Sequence, residues 1–282
     1  MIHAVLLGNH AQALALAARE SGIKAHIVMP EISIPQKIAA TRGYGANVVF
    51  SGSTSTEREA VAAKVIAHTG ARLVPPYDHP DIMLGQGTMG LELQEQVRDL
   101  MEDESLHSFR APNTLADRTA GEKGLDAIIT PCGGGGMLSG VALSCEGTGI
   151  RVFGAEPSFQ GADDGKRGYE SGTRVPTVSS LTIADGLRTP VGEHPWKVIY
   201  ERKLVSGFYS VTEEQIKEAM RLVFERFKMV VEPSACVGLA VALFDEDFRG
   251  MVEKEAGEAG WDLGIVFSGG NVGVDRVGKL FS

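Results

Sequence analysis

What this sequence lacks narrows it first. Its three cysteines, Cys132, Cys145 and Cys236, lie far apart and form no C-x-x-C pair, which fits reduced thiols in a cytosolic protein and no zinc site. No basic run occurs anywhere, and 27 Lys and Arg against 36 Asp and Glu give a net charge of −9. Neither nucleic acid nor an anionic membrane surface is therefore an expected partner. The opening Met1-Ile-His-Ala-Val-Leu-Leu has no basic flank and is too short for a signal core, and no apolar run approaches the length of a membrane span. A cytoplasmic location is the expectation. No internal repeat or low-complexity tract stands out. What is present is an ordinary globular composition, 43% hydrophobic and 22% charged over 282 residues, long enough for two domains with a core in each.

The stretch Ile128 to Gly140 organises the rest. A short apolar run, Ala127 to Ile129, reads as a buried strand that stops at Thr130-Pro131. Four consecutive glycines, Gly133 to Gly136, then carry the backbone into a helix-like segment, Met137 to Ser144. Without β-carbons, successive N–H groups can turn toward one point beside the positive end of a helix, which binds a phosphate without a basic side chain. The dinucleotide fingerprint Gly-x-Gly-x-x-Gly is not met, since Leu138 or Ser139 falls at its third glycine. A P-loop is not met either, because Val141-Ala142 stand where Lys and Ser/Thr are needed. A phosphorylated ligand is the first hypothesis, and a flexible glycine loop without a ligand is the alternative.

Along the chain, short strands alternate with helices. The patterning predicts strands at 25–29, 47–50 and 72–74, and helices at 11–20, 35–42 and 56–68, the last opened by Thr56 and Glu59 as a capping box. Asn9 lies at or near the N-cap of the first helix, where its amide can face a ligand. Beyond residue 85 come a long amphipathic helix at 86–102, a polar excursion at 102–124, and strands at 127–129, 151–155 and 263–267. Helices at 213–227, with Thr212 and Gln215 as capping box, and at 234–244 complete the pattern. Residues 157–210 read as irregular. This grammar means an α/β chain with parallel sheets covered on both faces, divided into a small domain at 1–84 and a larger one at 85–282.

Eight segments in register carry a resemblance that covers nearly all of the chain. They are Gly8-Asn9-His10-Ala11-Gln12, Pro30 with Pro35-x-Lys37, Gly85-Gln86-Gly87-Thr88, Gly133 to Met137, Ala155-Glu156-Pro157, Ala184-Asp185-Gly186, Glu232-Pro233-Ser234 and Ser268-Gly269-Gly270-Asn271. In this order they resemble the serine racemases and the serine and threonine dehydratases, pyridoxal-phosphate-dependent enzymes of the tryptophan-synthase-β-like fold (fold type II).

The resemblance implies a set of sites. Gly133, Gly134, Gly135 and Gly136 would hold the phosphate of pyridoxal 5′-phosphate (PLP), and Met137 and Gly186 would also bind the cofactor. Asn9 would bond its 3′-oxygen, and Ser268 its pyridine nitrogen, which a hydroxyl leaves unprotonated; Ser268 also reads as a plain turn residue before Gly269. Glu156 and Asp164, with the Ala162 carbonyl, would hold Mg²⁺ or Ca²⁺; the longer spacer leaves Asp163 as a second candidate, and a solvated acidic turn is the other reading. The implied substrate is a small amino acid, serine or threonine, and the implied assembly a homodimer of the complete protein. The family's Schiff-base lysine lies in a Ser-Phe-Lys-x-Arg-Gly-Ala segment before Gly-Asn-His, which this sequence does not contain, and Leu7 stands where the family has the serine read as its second base. A chain shortened at its N-terminus and incomplete for catalysis is therefore expected, with a non-catalytic PLP-binding remnant as the alternative.

Overall fold

Every strand pairing among the described residues is parallel. The computed structural model describes residues 2–5, 9–33, 35–53, 55–103 and 124–282. They divide into one unit that ends at Pro76 and also takes in Asn271–Leu280, and a second that runs from Tyr77 to Gly270. The sequence pattern instead places the line at 84/85 and gives the whole C-terminal part to the larger domain.

In the first unit the order is β1 (Ile2–Val5), α1 (Asn9–Glu20), β2 (Ala25–Pro30), α2 (Pro35–Gly43), β3 (Asn47–Ser51), α3 (Ser55–Thr69) and β4 (Arg72–Val74). The sheet order is β3-β2-β1-β4, so the chain reverses its direction of winding at β1. Alanines at i, i+4 and i+7 of α1, namely Ala11, Ala15 and Ala18, pack against Ala25, Ile27 and Met29 of β2. Such small side chains bring the helix close to the sheet.

The second unit contains α4 (Pro80–Glu102), β5 (Ala127–Pro131), α5 (Gly136–Ser144), β6 (Arg151–Pro157), α6 (Asp164–Ser171), α7 (Glu193–Trp196), β7 (Gly207–Val211), α8 (Glu213–Leu222), α9 (Pro233–Phe244), α10 (Glu246–Ala256) and β8 (Leu263–Ile265); α11 (Val274–Leu280) belongs to the first. The sheet order is β7-β6-β5-β8. All of β5 is buried, as a strand covered on both faces must be. On one side Ile128 joins the core made with α4 and α5. On the other, a β-carbon on Gly238 of α9 would stand 3.4 Å from the Ile129 carbonyl oxygen.

Several elements depart from the sequence expectation. The helix expected from Gln86 begins at Pro80, capped by the His79 side chain, which accepts the Asp81 N–H. The glycines that look like breakers there serve packing: a β-carbon on Gly87 would stand 2.8 Å from the Gly140 carbonyl oxygen, so α4 and α5 cross at glycine. The stretch 157–210, expected to be irregular, contains α6, α7 and most of β7. The helix expected at 213–227 is α8 followed by a π-helical turn, Val223–Phe227. Its Thr212–Gln215 capping box is present, with both reciprocal bonds made. No helix among the described residues is long and apolar enough to cross a membrane.

Candidate active site

The four glycines leave the C-terminal end of β5 and enter α5 at its first turn. Gly133, Gly134, Gly135 and Gly136 are buried, and Gly135 has a left-handed φ of 82°, which glycine adopts without strain. Among the described residues, the backbone N–H groups of Gly133 to Leu138 find no acceptor; Ser139 is the first to donate back along the chain, to Gly135. Six successive donors at a helix start, where burial demands a partner, are a candidate anion cradle. No lysine or arginine side chain donates to the loop among the described residues.

The loop's neighbours explain why it must be glycine. A β-carbon on Gly134 would overlap the Tyr77 ring, and one on Gly136 would stand 3.0 Å from Tyr77 Cβ. On Gly133 it would meet Leu187 Cα at 3.0 Å and the Gly186 carbonyl oxygen at 3.1 Å. Gly186 thus lies against the cradle, in the turn Asp185–Leu187, and its N–H donates to Ser234 Oγ at 3.0 Å. Ser234 sits in the first turn of α9. Met137 is half-buried and packs on the core. Cys132, one residue before the glycines, is buried; burial, and then the nearby Glu156 and Asp164, push its thiol well above the ordinary range. That makes it an inert core thiol. Tyr77 belongs to no motif, so sequence reasoning does not find it.

Ser268 follows β8 and is half-buried. Its hydroxyl has no partner among the described residues. In the first unit, Asn9 is the first residue of α1 and accepts the Asn271 Nδ2–H at 2.5 Å. Next to it, burial holds the His10 imidazole below its ordinary pKa, against a hydrogen bond with the Val74 backbone that raises it. Among the described residues, its Nε2 and the Nε2 of Gln12 are buried without partners. Leu7 lies outside the described residues.

The acidic residues form a second cluster, in the second unit. Glu156, 0% exposed at the end of β6, accepts the Gly165 N–H on Oε1 at 2.9 Å and the Lys166 N–H on Oε2 at 2.8 Å. Asp164, 2% exposed, accepts the Val191 N–H at 3.0 Å. Burial, followed by the charge of Asp164, drives Glu156 well above the usual carboxylate range, against the pull of the two N–H donors. Burial likewise raises Asp164 to about 6. Asp163 is engaged elsewhere, by Arg167 Nε at 3.0 Å. Ala162 is buried beside them. Two neighbouring buried carboxylates without a bonded cationic side chain among the described residues are costly unless a cation joins them, and carboxylates with a carbonyl are the hard-oxygen donors such a cation takes. Among the described residues no group of three or more His, Cys, Asp or Glu could hold a metal ion, so any cation here would depend on the carbonyl and water.

The family model described as "Pyridoxal-phosphate dependent enzyme" matches residues 2–256. The L-threo-3-hydroxyaspartate ammonia-lyase of Saccharomyces cerevisiae is 37% identical over 98% of this chain and 74% of its own length. Among solved structures, maize serine racemase superposes with a TM-score of 0.83 at 35% identity, over 99% of this chain and 76% of that one. A threonine deaminase from T.th. superposes with a TM-score of 0.74 at 37% identity, over 96% and 78%. With its cradle of glycines after a central parallel strand, this chain belongs to the pyridoxal-phosphate-dependent enzyme family and has the α/β fold, type II among those enzymes, of serine racemase and threonine deaminase.

Proposed function

We propose that this chain binds PLP at Gly133–Gly136 and belongs to a protein that acts on serine or a related small hydroxy amino acid, as a racemase or an ammonia-lyase. The observation that carries the reading is the row of N–H groups from Gly133 to Leu138, in a largely buried stretch at the start of α5, without acceptors among the described residues. A phosphate dianion offers such a row the acceptors it needs.

The residues present fit the cofactor. Gly133, Gly134, Gly135, Gly136 and Met137 would hold the phosphate through backbone N–H groups, with Gly186 closing one side. The Ser268 hydroxyl would meet the pyridine nitrogen and, unlike a carboxylate, leave it without a proton. When bound, the cofactor withdraws electrons from the α-carbon of an amino acid, and a neutral ring nitrogen moderates that pull. Racemisation and ammonia loss both begin with removal of the α-proton and diverge afterwards. The group that would remove it is not among these 282 residues in the sequence context the family uses. For the chain as sequenced the proposal is therefore cofactor binding without that base.

Glu156, the Ala162 carbonyl and Asp164 are proposed to take Mg²⁺ or Ca²⁺, which would hold both carboxylates ionised and fasten the start of α6 to the end of β6.

The test is a titration of the 282-residue chain with PLP, followed by borohydride reduction, lysine mapping, and assays for pyruvate and D-serine. Reversible PLP binding without turnover agrees with the proposal. Turnover with stoichiometric label on one lysine would show that this chain has a base of its own, and failure to bind PLP would refute the cofactor assignment.

A further inference from the structure

The cradle is anchored from outside by one short segment. The Gly134 carbonyl accepts the Gly192 N–H at 3.0 Å. On either side of Gly192 the N–H groups are also taken: Val191 donates to Asp164 Oδ2 at 3.0 Å, Glu193 to Asp78 Oδ2 at 3.0 Å, and His194 to Asp78 Oδ1 at 2.8 Å. Asp78 thus spends both carboxylate oxygens on the start of α7, where a negative charge is favoured. The fit is close, since a β-carbon on Gly192 would stand 2.6 Å from Asp78 Cγ. Asp78 also adjoins Tyr77, whose ring backs Gly134 and whose Cα, Cβ and carbonyl oxygen lie against Gly136. One dipeptide therefore grips the cradle twice, by a ring against its backbone and by a carboxylate acting through Gly192.

From this geometry we infer that Asp78 is a positioning residue for phosphate binding: it fixes the 191–194 segment, and that segment fixes the Gly134 peptide and the N–H groups beside it. Converging donors bind well only if their order is established before the ligand arrives. The inference rests on the cofactor reading above. A plain helix cap would have the same contacts, so the test must separate phosphate affinity from general stability.

The experiment compares Asp78→Ala, Asp78→Asn and the exposed-site control Asp99→Ala with wild type in the full chain. It measures affinity for PLP and for pyridoxal, which lacks the phosphate, and amide exchange of 131–138 without ligand. Asp78→Ala should weaken PLP binding by about tenfold, the worth of about one charge-assisted hydrogen bond. Pyridoxal affinity should stay within about twofold, and exchange at 131–138 should quicken. Asp78→Asn, which keeps one acceptor oxygen, should fall between, and it carries the test if the alanine variant does not fold. Unchanged PLP affinity in both Asp78 variants, or an equal loss for PLP and pyridoxal, would overturn the role while leaving the cofactor reading in place. Absence of phosphate-dependent binding in the wild type would remove both.

Discussion

The ring of Tyr77 occupies the space into which a β-carbon on Gly134 would project. Gly134→Ala therefore sets a methyl group against an aromatic ring in a buried loop, an overpacking that costs about 1–3 kcal/mol. The strain falls on the Gly134 peptide, so the N–H groups of the loop should lose their alignment. PLP affinity should fall by about tenfold or more. The double variant Tyr77→Ala/Gly134→Ala should recover part of that loss, and isothermal titration of the four proteins measures the coupling. Additive effects of the two substitutions would contradict the contact.

Much of this arrangement is legible from residue order alone. The strand–glycine–helix passage at 127–144 and the Thr212–Gln215 capping box are local signals, and local signals survive in a sequence. Tyr77 and Asp78 are not legible, because their roles come from contacts with Gly134 and with 193–194, far along the chain. β7 escapes notice for a related reason: Gly207-Phe-Tyr-Ser-Val211 is short, opens on glycine and follows a stretch rich in turn formers, and its pairing with β6 is what makes it a strand. In α4 the glycines mislead, since their use is close approach to α5 rather than helix breaking.

Asp164 gives a pH prediction whose sign depends on metal. Its folded-state pKa of about 6 stands above the ordinary 3.8, so the folded chain holds a proton that the unfolded chain gives up. This contribution to stability is present below about pH 3.8 and is lost as pH rises through about 6. Glu156 shifts in the same direction. In chelator the melting temperature should therefore carry a falling component across that window. With Mg²⁺ or Ca²⁺ the increment should be small near about pH 5 and larger above about pH 7, where both carboxylates can ionise around the cation, and Asp164→Ala should remove it. A pH-independent increment that persists in the variant would count against the cation site.

Thr130 lies in β5 with 0% exposure, and its Oγ1 is buried without a hydrogen-bond partner among the described residues. Thr130→Val keeps the shape and removes the unmet hydroxyl, so it should stabilise the chain by about 1 kcal/mol. Urea denaturation should show a higher midpoint at unchanged slope. A lower midpoint would mean that the hydroxyl is satisfied in solution.

The claim on which the rest depends is that Gly133–Gly136 form the phosphate site for PLP, and competition binding tests it most directly. The 282-residue chain is titrated with PLP at increasing inorganic phosphate, with pyridoxal as the phosphate-free comparison. PLP should bind, inorganic phosphate should displace it competitively, and pyridoxal should bind far more weakly. Equal affinity for PLP and pyridoxal, unaffected by phosphate, would contradict the claim.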